Sequence, residues 1–438
     1  MATYVKTLRG LAAAILVLMG CERPFVPARV PEIEILAPDF SEVHTDSLLM
    51  LEVRATSFRR IAGVTLENQP LHYDSLRAVW KGIVKLHWGL NRLRLTAVDE
   101  QGVSATDTIW ALRLQATLYP GPPLVGGRGA GTLTRLPDGR LLFVGGASTW
   151  NGPASRQLYA WTPGNPAFTR FPGLLAEPRA GHTATLLSDG RLILLGGSLQ
   201  GRPETADDLR PNAEVFDLHA GRGRIFPIAP TAARAWHTTA LRHHADRWFL
   251  EVLGGYRRLR RDAAELGVAS DLITFEVYPD SLRLLTPGIG YYLAPLAGHI
   301  MAPLDPDTTR FLVAGSLSRT EHPEIQTFRL RLDPAGPIDL LSAPPLPEPR
   351  QFATAVSIKP GVVMILGGFN GQPTQTYTYP LLYVETANRF FRYRTLPLEA
   401  RFNASATLLE NFRILITGGF GPDGQGLSVT EMVELMPF

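Results

Sequence analysis

Arginine recurs at one position of a repeating pattern in this chain. Arg128, Arg179, Arg234, Arg350 and Arg401 each stand three residues ahead of the start of a similar run, at Gly131, His182, His237, Ala353 and Ala404. Leu296 takes the place of arginine ahead of His299. A guanidinium group binds carboxylate or phosphate through two parallel hydrogen bonds. Five of them related by rotation would converge on one rim and read an anion there.

Histidine occupies the first position of three of these runs, at His182, His237 and His299, and three imidazoles invite a metal reading. Gly131, Ala353 and Ala404 fill the same column, so it reads as a packing slot and no metal is assigned. His243 and His244 lie near a hairpin turn. Asp99, Glu100 and Asp107, like Asp305 and Asp307, read as turn and edge residues rather than calcium ligands. The segment Tyr256 to Leu266 carries Arg257, Arg258, Arg260 and Arg261. It is a solvated loop by default, with a short amphipathic helix or an anionic-lipid contact as alternatives.

Cysteine occurs once, at Cys21, which excludes an internal disulfide and a cysteine-based metal or redox site. Lys6 and Arg9 precede the apolar run Leu11 to Met19, and Leu18-Met19-Gly20-Cys21 closes it. A basic start, a short apolar core and a small residue before the cut describe a secretory signal. The leucine, glycine and cysteine resemble the lipobox of bacterial lipoproteins, which implies lipidation of Cys21. Several acyl chains give lasting anchoring where one does not. Glu22 follows, and by resemblance to Gram-negative sorting this implies an outer-membrane lipoprotein of the cell envelope, facing the periplasm or the cell surface. Residues 22–30, with two prolines, read as an extended tether.

The elements that would position any site are strands. Apolar residues make up 45% and charged residues 19% of 438, which is globular, and a net charge of +3 without basic blocks gives no nucleic-acid signature. Between 31 and 115 about seven short alternating runs predict a β-sandwich. Its last hairpin, around Asp99-Glu100-Gln101-Gly102, resembles bacterial Ig-like modules.

From Gly131 onward one phrase recurs six times at a spacing of about fifty residues. It opens with small or β-branched residues, continues through turns such as Asp138-Gly139 and Asp189-Gly190, and closes on an apolar run and a Gly-Gly pair. An aromatic ends the third strand (Trp161, Phe216, Phe275, Phe328, Tyr383) and a bulky residue marks the fourth (Phe168, Phe226, Phe391). This order resembles the Kelch repeat. The implied fold is all-β: an N-terminal Ig-like β-sandwich followed by a six-bladed Kelch-type β-propeller, with a signal at 1–21, a tether at 22–30, the sandwich at 31–115 and the propeller at 116–438. The last repeat lacks a fourth strand, and the segment from Leu112 to Pro120 is expected to supply it, leaving no open edge.

In partner-binding Kelch domains the arginine position often contacts acidic ligands; elsewhere in the family it bonds carbonyls of an adjacent blade. The expected function is a membrane-anchored, non-catalytic binding or scaffold lipoprotein without cofactor, whose propeller mouth recognises a protein, peptide or glycan. The alternative is a Kelch-type carbohydrate-active enzyme such as a sialic-acid epimerase or lyase. A copper oxidase of this type needs a cysteine–tyrosine cross-link, and Cys21 belongs to the signal.

Overall fold

The computed structural model describes residues 30–260, 264–278, 281–289, 295–315, 327–332 and 338–436. The lipidation position Cys21 and the tether lie outside them, except for Val30. The described chain divides into two compact units, one of residues up to 36 with 52–82 and 94–107, the other of 37–51, 83–93 and 108–436.

Two sheets are built from residues 32–113. One orders Glu32–Ala37, Leu48–Thr56, Val79–Lys85 and His72–Asp74; the other orders Val43–His44, Ser104–Arg113, Gly89–Asp99, Ile61–Leu66 and Gln69–Pro70. Gly89–Asp99 alternates buried and exposed positions along most of its length, as a strand with one covered face must. Asp99 is a turn residue: its Oδ1 accepts the N–H of Gln101 and of Val103, both at 2.9 Å.

From Ala116 onward the second unit is a series of four-stranded antiparallel meanders. The first two copies merge into one eight-stranded sheet through a parallel bridge between Leu174 and Arg222. In each meander the second strand is the apolar run, for example Leu141–Ala147 and Val362–Leu366, buried at every residue. A strand covered on both faces needs no alternation. The third- and fourth-strand aromatics Phe216, Phe275, Tyr383, Phe168 and Phe391 are at most 1% exposed.

The last meander, with Phe402–Leu408, Arg413–Phe420 and Glu431–Leu435, is completed by Ala116–Pro120. The register runs from Ala116 opposite Leu435 to Pro120 opposite Glu431. Tyr119 donates to Glu434 at 2.5 Å, and Thr430 Oγ1 donates to the carbonyl of Pro122 at 2.8 Å. The fold is all-β and propeller-type.

The Gly-Gly pairs join successive repeats. A Cβ on the first glycine of each pair would run into the carbonyl oxygen of the next repeat's arginine position: Gly145 into Arg179, Gly196 into Arg234, Gly254 into Leu296, Gly367 into Arg401, and Gly418 into Arg128. Gly315 meets Arg350 in the same way although Ser316 follows it. These are backbone-to-backbone approaches that only glycine allows.

Candidate functional site

Two residues after each arginine position the backbone turns to positive φ: Ala130 at 57°, Gly181 at 61°, Trp236 at 53°, Gly298 at 64°, Phe352 at 55° and Asn403 at 50°. This turns the N–H sideways, toward the preceding repeat. Gly181 donates to Ala130 (2.8 Å), Trp236 to Gly181 (2.8 Å), Gly298 to Trp236 (3.1 Å), Phe352 to Gly298 (2.9 Å) and Asn403 to Phe352 (2.8 Å). Glycine adopts this conformation freely, whereas other residues are strained by about 1 kcal/mol or more. The third, fifth and sixth repeats accept that strain and place tryptophan, phenylalanine and asparagine at the centre of the ring.

Trp150, from the loop after the first Gly-Gly pair, sits among these side chains. Its ring meets Trp236 at 5.7 Å, Phe352 and Phe402 at 5.2 Å and Phe420 at 5.4 Å, each edge-on. The partners come from the third, fifth and sixth repeats, which puts Trp150 over the centre of the ring, and it is buried. Its N–H is held by the carbonyl of Gly424 at 2.8 Å. Trp236 Nε1 donates across the centre to Asn403 Oδ1 at 3.2 Å.

Beside this plug lies a cavity of about 110 Å³ lined by Trp150, Arg202, Tyr256, Gln351, Phe352 and Phe369, with Gly371 and Pro373. Gln351 is 3% exposed and its Oε1 has no hydrogen-bond partner. The equivalent position holds Gly129, Ala180, Ala235 and Ala297 in the first four repeats, so a buried amide here is not a packing requirement. Arg202 is exposed, and among the described residues it has no ion-pair or hydrogen-bond partner. Tyr256 opens the insertion of the third repeat, which is not a helix: Tyr256–Arg258 pairs with Leu266–Val268 as a two-stranded ribbon. Residues 261–263 lie outside the described residues. Arg258 is bonded to Asp207.

Beneath the plug the centre of the ring holds a second cavity of about 110 Å³, reached by His182, His237 and His299. Each Nε2 pairs with a hydroxyl of the preceding repeat: Thr132 (3.3 Å), Thr183 (3.0 Å) and Thr238 (2.8 Å). Burial pushes all three imidazoles down to about 3, so they are neutral bridges between repeats.

The arginines do not line the mouth. Arg179, Arg234, Arg350 and Arg401 are at most 2% exposed. Each donates through Nη1 to the first glycine of its own repeat's pair: Gly196 (2.8 Å), Gly254 (3.0 Å), Gly367 (3.2 Å) and Gly418 (2.8 Å). Groups of the same repeat surround the rest of each fork, although Nε of Arg234, Arg350 and Arg401 and Nη2 of Arg350 have no hydrogen-bond partner among the described residues. Arg234 clasps Asp271 at 2.7 and 3.1 Å, and Arg401 bonds Glu431 at 2.8 Å. Arg179 meets Glu214 at 3.4 Å, and Arg350 lies 4.4 and 5.0 Å from the ring centroids of Tyr377 and Tyr379. Arg128 is half-buried and bonds Gln157 (2.9 Å) and Tyr159 (3.2 Å). An anion-reading rim built from these five is therefore corrected: strand ends at the glycine pairs leave carbonyls that need donors, and the guanidinium groups turn inward to supply them.

No family model matches the chain, and no curated protein matches it in sequence. Solved structures match in fold. One, described as the structure of YjhT, a Kelch-type propeller, is 15% identical with a TM-score of 0.54, covering 72% of this chain and 99% of its own. Another is a fungal alcohol oxidase with catalytic diversity in the AA5 family, in complex with copper; it is 14% identical with a TM-score of 0.50, covering 93% of this chain and 74% of its own. At these identities the likeness establishes the fold. A neighbour of this coverage is an enzyme, and that overturns the expectation of a non-catalytic binding or scaffold protein. Its copper is not matched here: among the described residues no three His, Cys, Asp or Glu side chains are grouped to hold a metal ion, and the three central imidazoles are engaged by threonine.

The mouth residues were readable only in part. The column two places after the arginines runs Ala, Gly, Trp, Gly, Phe, Asn, and its three large members are the signal that arginine-centred reasoning passed over. Trp150 and Arg202 lie on irregular loops and have no column to betray them.

Proposed function

We propose that this chain is a lipid-anchored enzyme of the bacterial cell envelope that acts on a carbohydrate at the aromatic mouth of a six-bladed Kelch-type propeller. The observation that carries the reading is the pocket around Gln351, where a buried amide oxygen without a partner faces aromatic walls beside a free arginine. An unmet buried acceptor costs about 1–3 kcal/mol. A sugar hydroxyl would satisfy it while the apolar face of the ring stacks on Trp150 or Phe369. Arg202 would hold a carboxylate or an oxygen gaining charge. Tyr256 is the wall residue able to give and retake a proton at a sugar oxygen. This suits an epimerase or lyase acting on an acidic sugar of the sialic-acid kind.

The four-stranded meanders, with Ala116–Pro120 completing the last, support six blades. The two N-terminal sheets support an Ig-like sandwich acting as a spacer. The lipobox around Cys21 supports anchoring in the outer membrane, facing the periplasm or the cell surface.

The test is the chain from Glu22 onward, incubated with a panel of neutral and acidic monosaccharides. Nuclear magnetic resonance would follow both binding, by saturation transfer, and conversion over time. Conversion of an acidic sugar, lost in Arg202→Ala and in Gln351→Met, is the expected result. If no sugar engages the protein, or both variants turn over like the parent, the proposal fails.

A further inference from the structure

We infer that the N-terminal unit carries a docking surface for anionic lipid headgroups, built on the loops that hold Phe58 and Leu76. These are the two most exposed large apolar side chains among the described residues, at 85% and 97%. Apolar tips that stand beside basic residues are the groups an interfacial anchor buries in the acyl boundary.

Between the loops lies a cavity of about 460 Å³ whose walls include Arg54, Ser57, Arg59, Arg60, Tyr73 and Trp80. The Ser57 hydroxyl is buried there without a partner. Tyr73 and Trp80 pack with ring centroids 4.9 Å apart, and both residue types favour the membrane–water boundary. Arg59 and Arg60 reach Asp99 and Glu100 only at 3.7 and 3.8 Å. The Arg60–Glu100 pair is exposed and contributes little, so a headgroup phosphate, which a guanidinium binds bidentately, displaces it readily, whereas the Arg59 partner, Asp99, is buried.

The course of the chain fixes the occupant. Arg54 bonds Glu34 at 2.6 Å, and Glu34 lies four residues beyond Val30, where the described chain begins with an exposed side chain. The described chain thus begins four residues before a contact with the wall of this cavity. The residues from 21 to 30 span at most about 30 Å when extended. A lipid on Cys21 would hold the surface within that distance of the bilayer. A protein-binding patch would gather its apolar groups at a centre with charge at the rim; here separate apolar tips project with arginines beside them.

The experiment uses the chain from Glu22 onward, which carries no lipid, so it can fail independently of the anchoring and of the sugar chemistry at the propeller mouth. Sedimentation with phosphatidylethanolamine–phosphatidylglycerol vesicles should carry the protein down in low salt, and neutral phosphatidylcholine vesicles should not. Phe58→Ser with Leu76→Ser should weaken binding by about tenfold or more. Arg59→Gln with Arg60→Gln should flatten the salt dependence. The Phe58/Leu76 variant should keep the parent's melting temperature, because the altered groups are exposed; the arginine variant is compared at temperatures where it is folded, because Arg59 faces the buried carboxylate of Asp99. Millimolar inorganic phosphate should leave vesicle binding unchanged. Competition by free phosphate, sedimentation of the Phe58/Leu76 variant like the parent, or no binding to either vesicle would each overturn the inference.

Discussion

Gly418 lies against the carbonyl oxygen of Arg128 so closely that an added Cβ would overlap it. The contact joins the last repeat to the first, and the same contact joins every other successive pair. Closure is therefore made twice, at the inner end by this approach and at the outer edge by Ala116–Pro120.

Gly418→Ala should accordingly be far more damaging than a glycine substitution of similar backbone geometry in open space. Gly139 supplies the control, with φ of +85° and nothing within 4 Å of the Cβ position. Gly139→Ala meets only the left-handed strain, about 1–2 kcal/mol. Gly418→Ala adds a backbone clash and should lose several kcal/mol or fail to fold. Urea unfolding of both variants measures the difference; equal losses would mean that closure does not depend on this contact.

Arg401 should behave as a buried structural cation. Its fork bonds Gly418 and Val429 carbonyls at 2.8 and 3.0 Å and Glu431 at 2.8 Å. Arg401→Ala strands a mostly buried carboxylate and two carbonyls, a loss of about 3–5 kcal/mol. Arg401→Lys keeps the charge without the fork and should recover only part of it. Stability within 1 kcal/mol of the parent in the alanine variant, on the same scale, would argue that the group faces solvent after all.

What the sequence disclosed and what it hid follow from the same physics. Gly-Gly and Asp-Gly are demanded by backbone geometry at fixed places, so the repeats stand out by eye. The arginine column was equally visible, but its direction was not. The acids that capture the guanidinium groups, Glu214, Asp271 and Glu431, lie thirty or more residues downstream, and their pairing exists only once the third strand of each meander is in place. The mouth was hidden more deeply. Nothing local announces that Trp236, Phe352 and Asn403 take positive φ, because the strain is imposed by the ring of hydrogen bonds from neighbouring repeats.

Acid should weaken the protein through the central histidines. Burial holds His182, His237 and His299 at about 3 in the folded state, whereas in the unfolded chain they protonate near 6.5. The unfolded state then binds more protons at every pH between those values, so stability is fully present above 6.5 and falls as pH drops toward 3. The slope approaches about 1.4 kcal/mol per pH unit for each histidine. Urea midpoints between pH 6.5 and 5, above the main carboxylate range, should decline, and His237→Gln should reduce that decline by about a third if the three contribute alike. An unchanged slope in the variant would show that these imidazoles are not the groups responsible.

Trp150 should prove to be both a stabilising side chain and the cover of the central cavity. Four aromatic rings from three repeats hold it edge-on, and each such contact is worth about 0.5–1.5 kcal/mol beyond the area it buries. Trp150→Ala removes them and leaves a void, a cost of about 3–5 kcal/mol. Trp236, now 6% exposed, lies directly beneath and should become accessible. Acrylamide quenching of the remaining tryptophan emission should rise in the variant under conditions where it is still folded. Trp150→Phe, which keeps an aromatic ring at the centre, should restore most of the shielding. If quenching stays at the parent level in the alanine variant, the loop does not cover the channel, and access to the histidines must be controlled elsewhere.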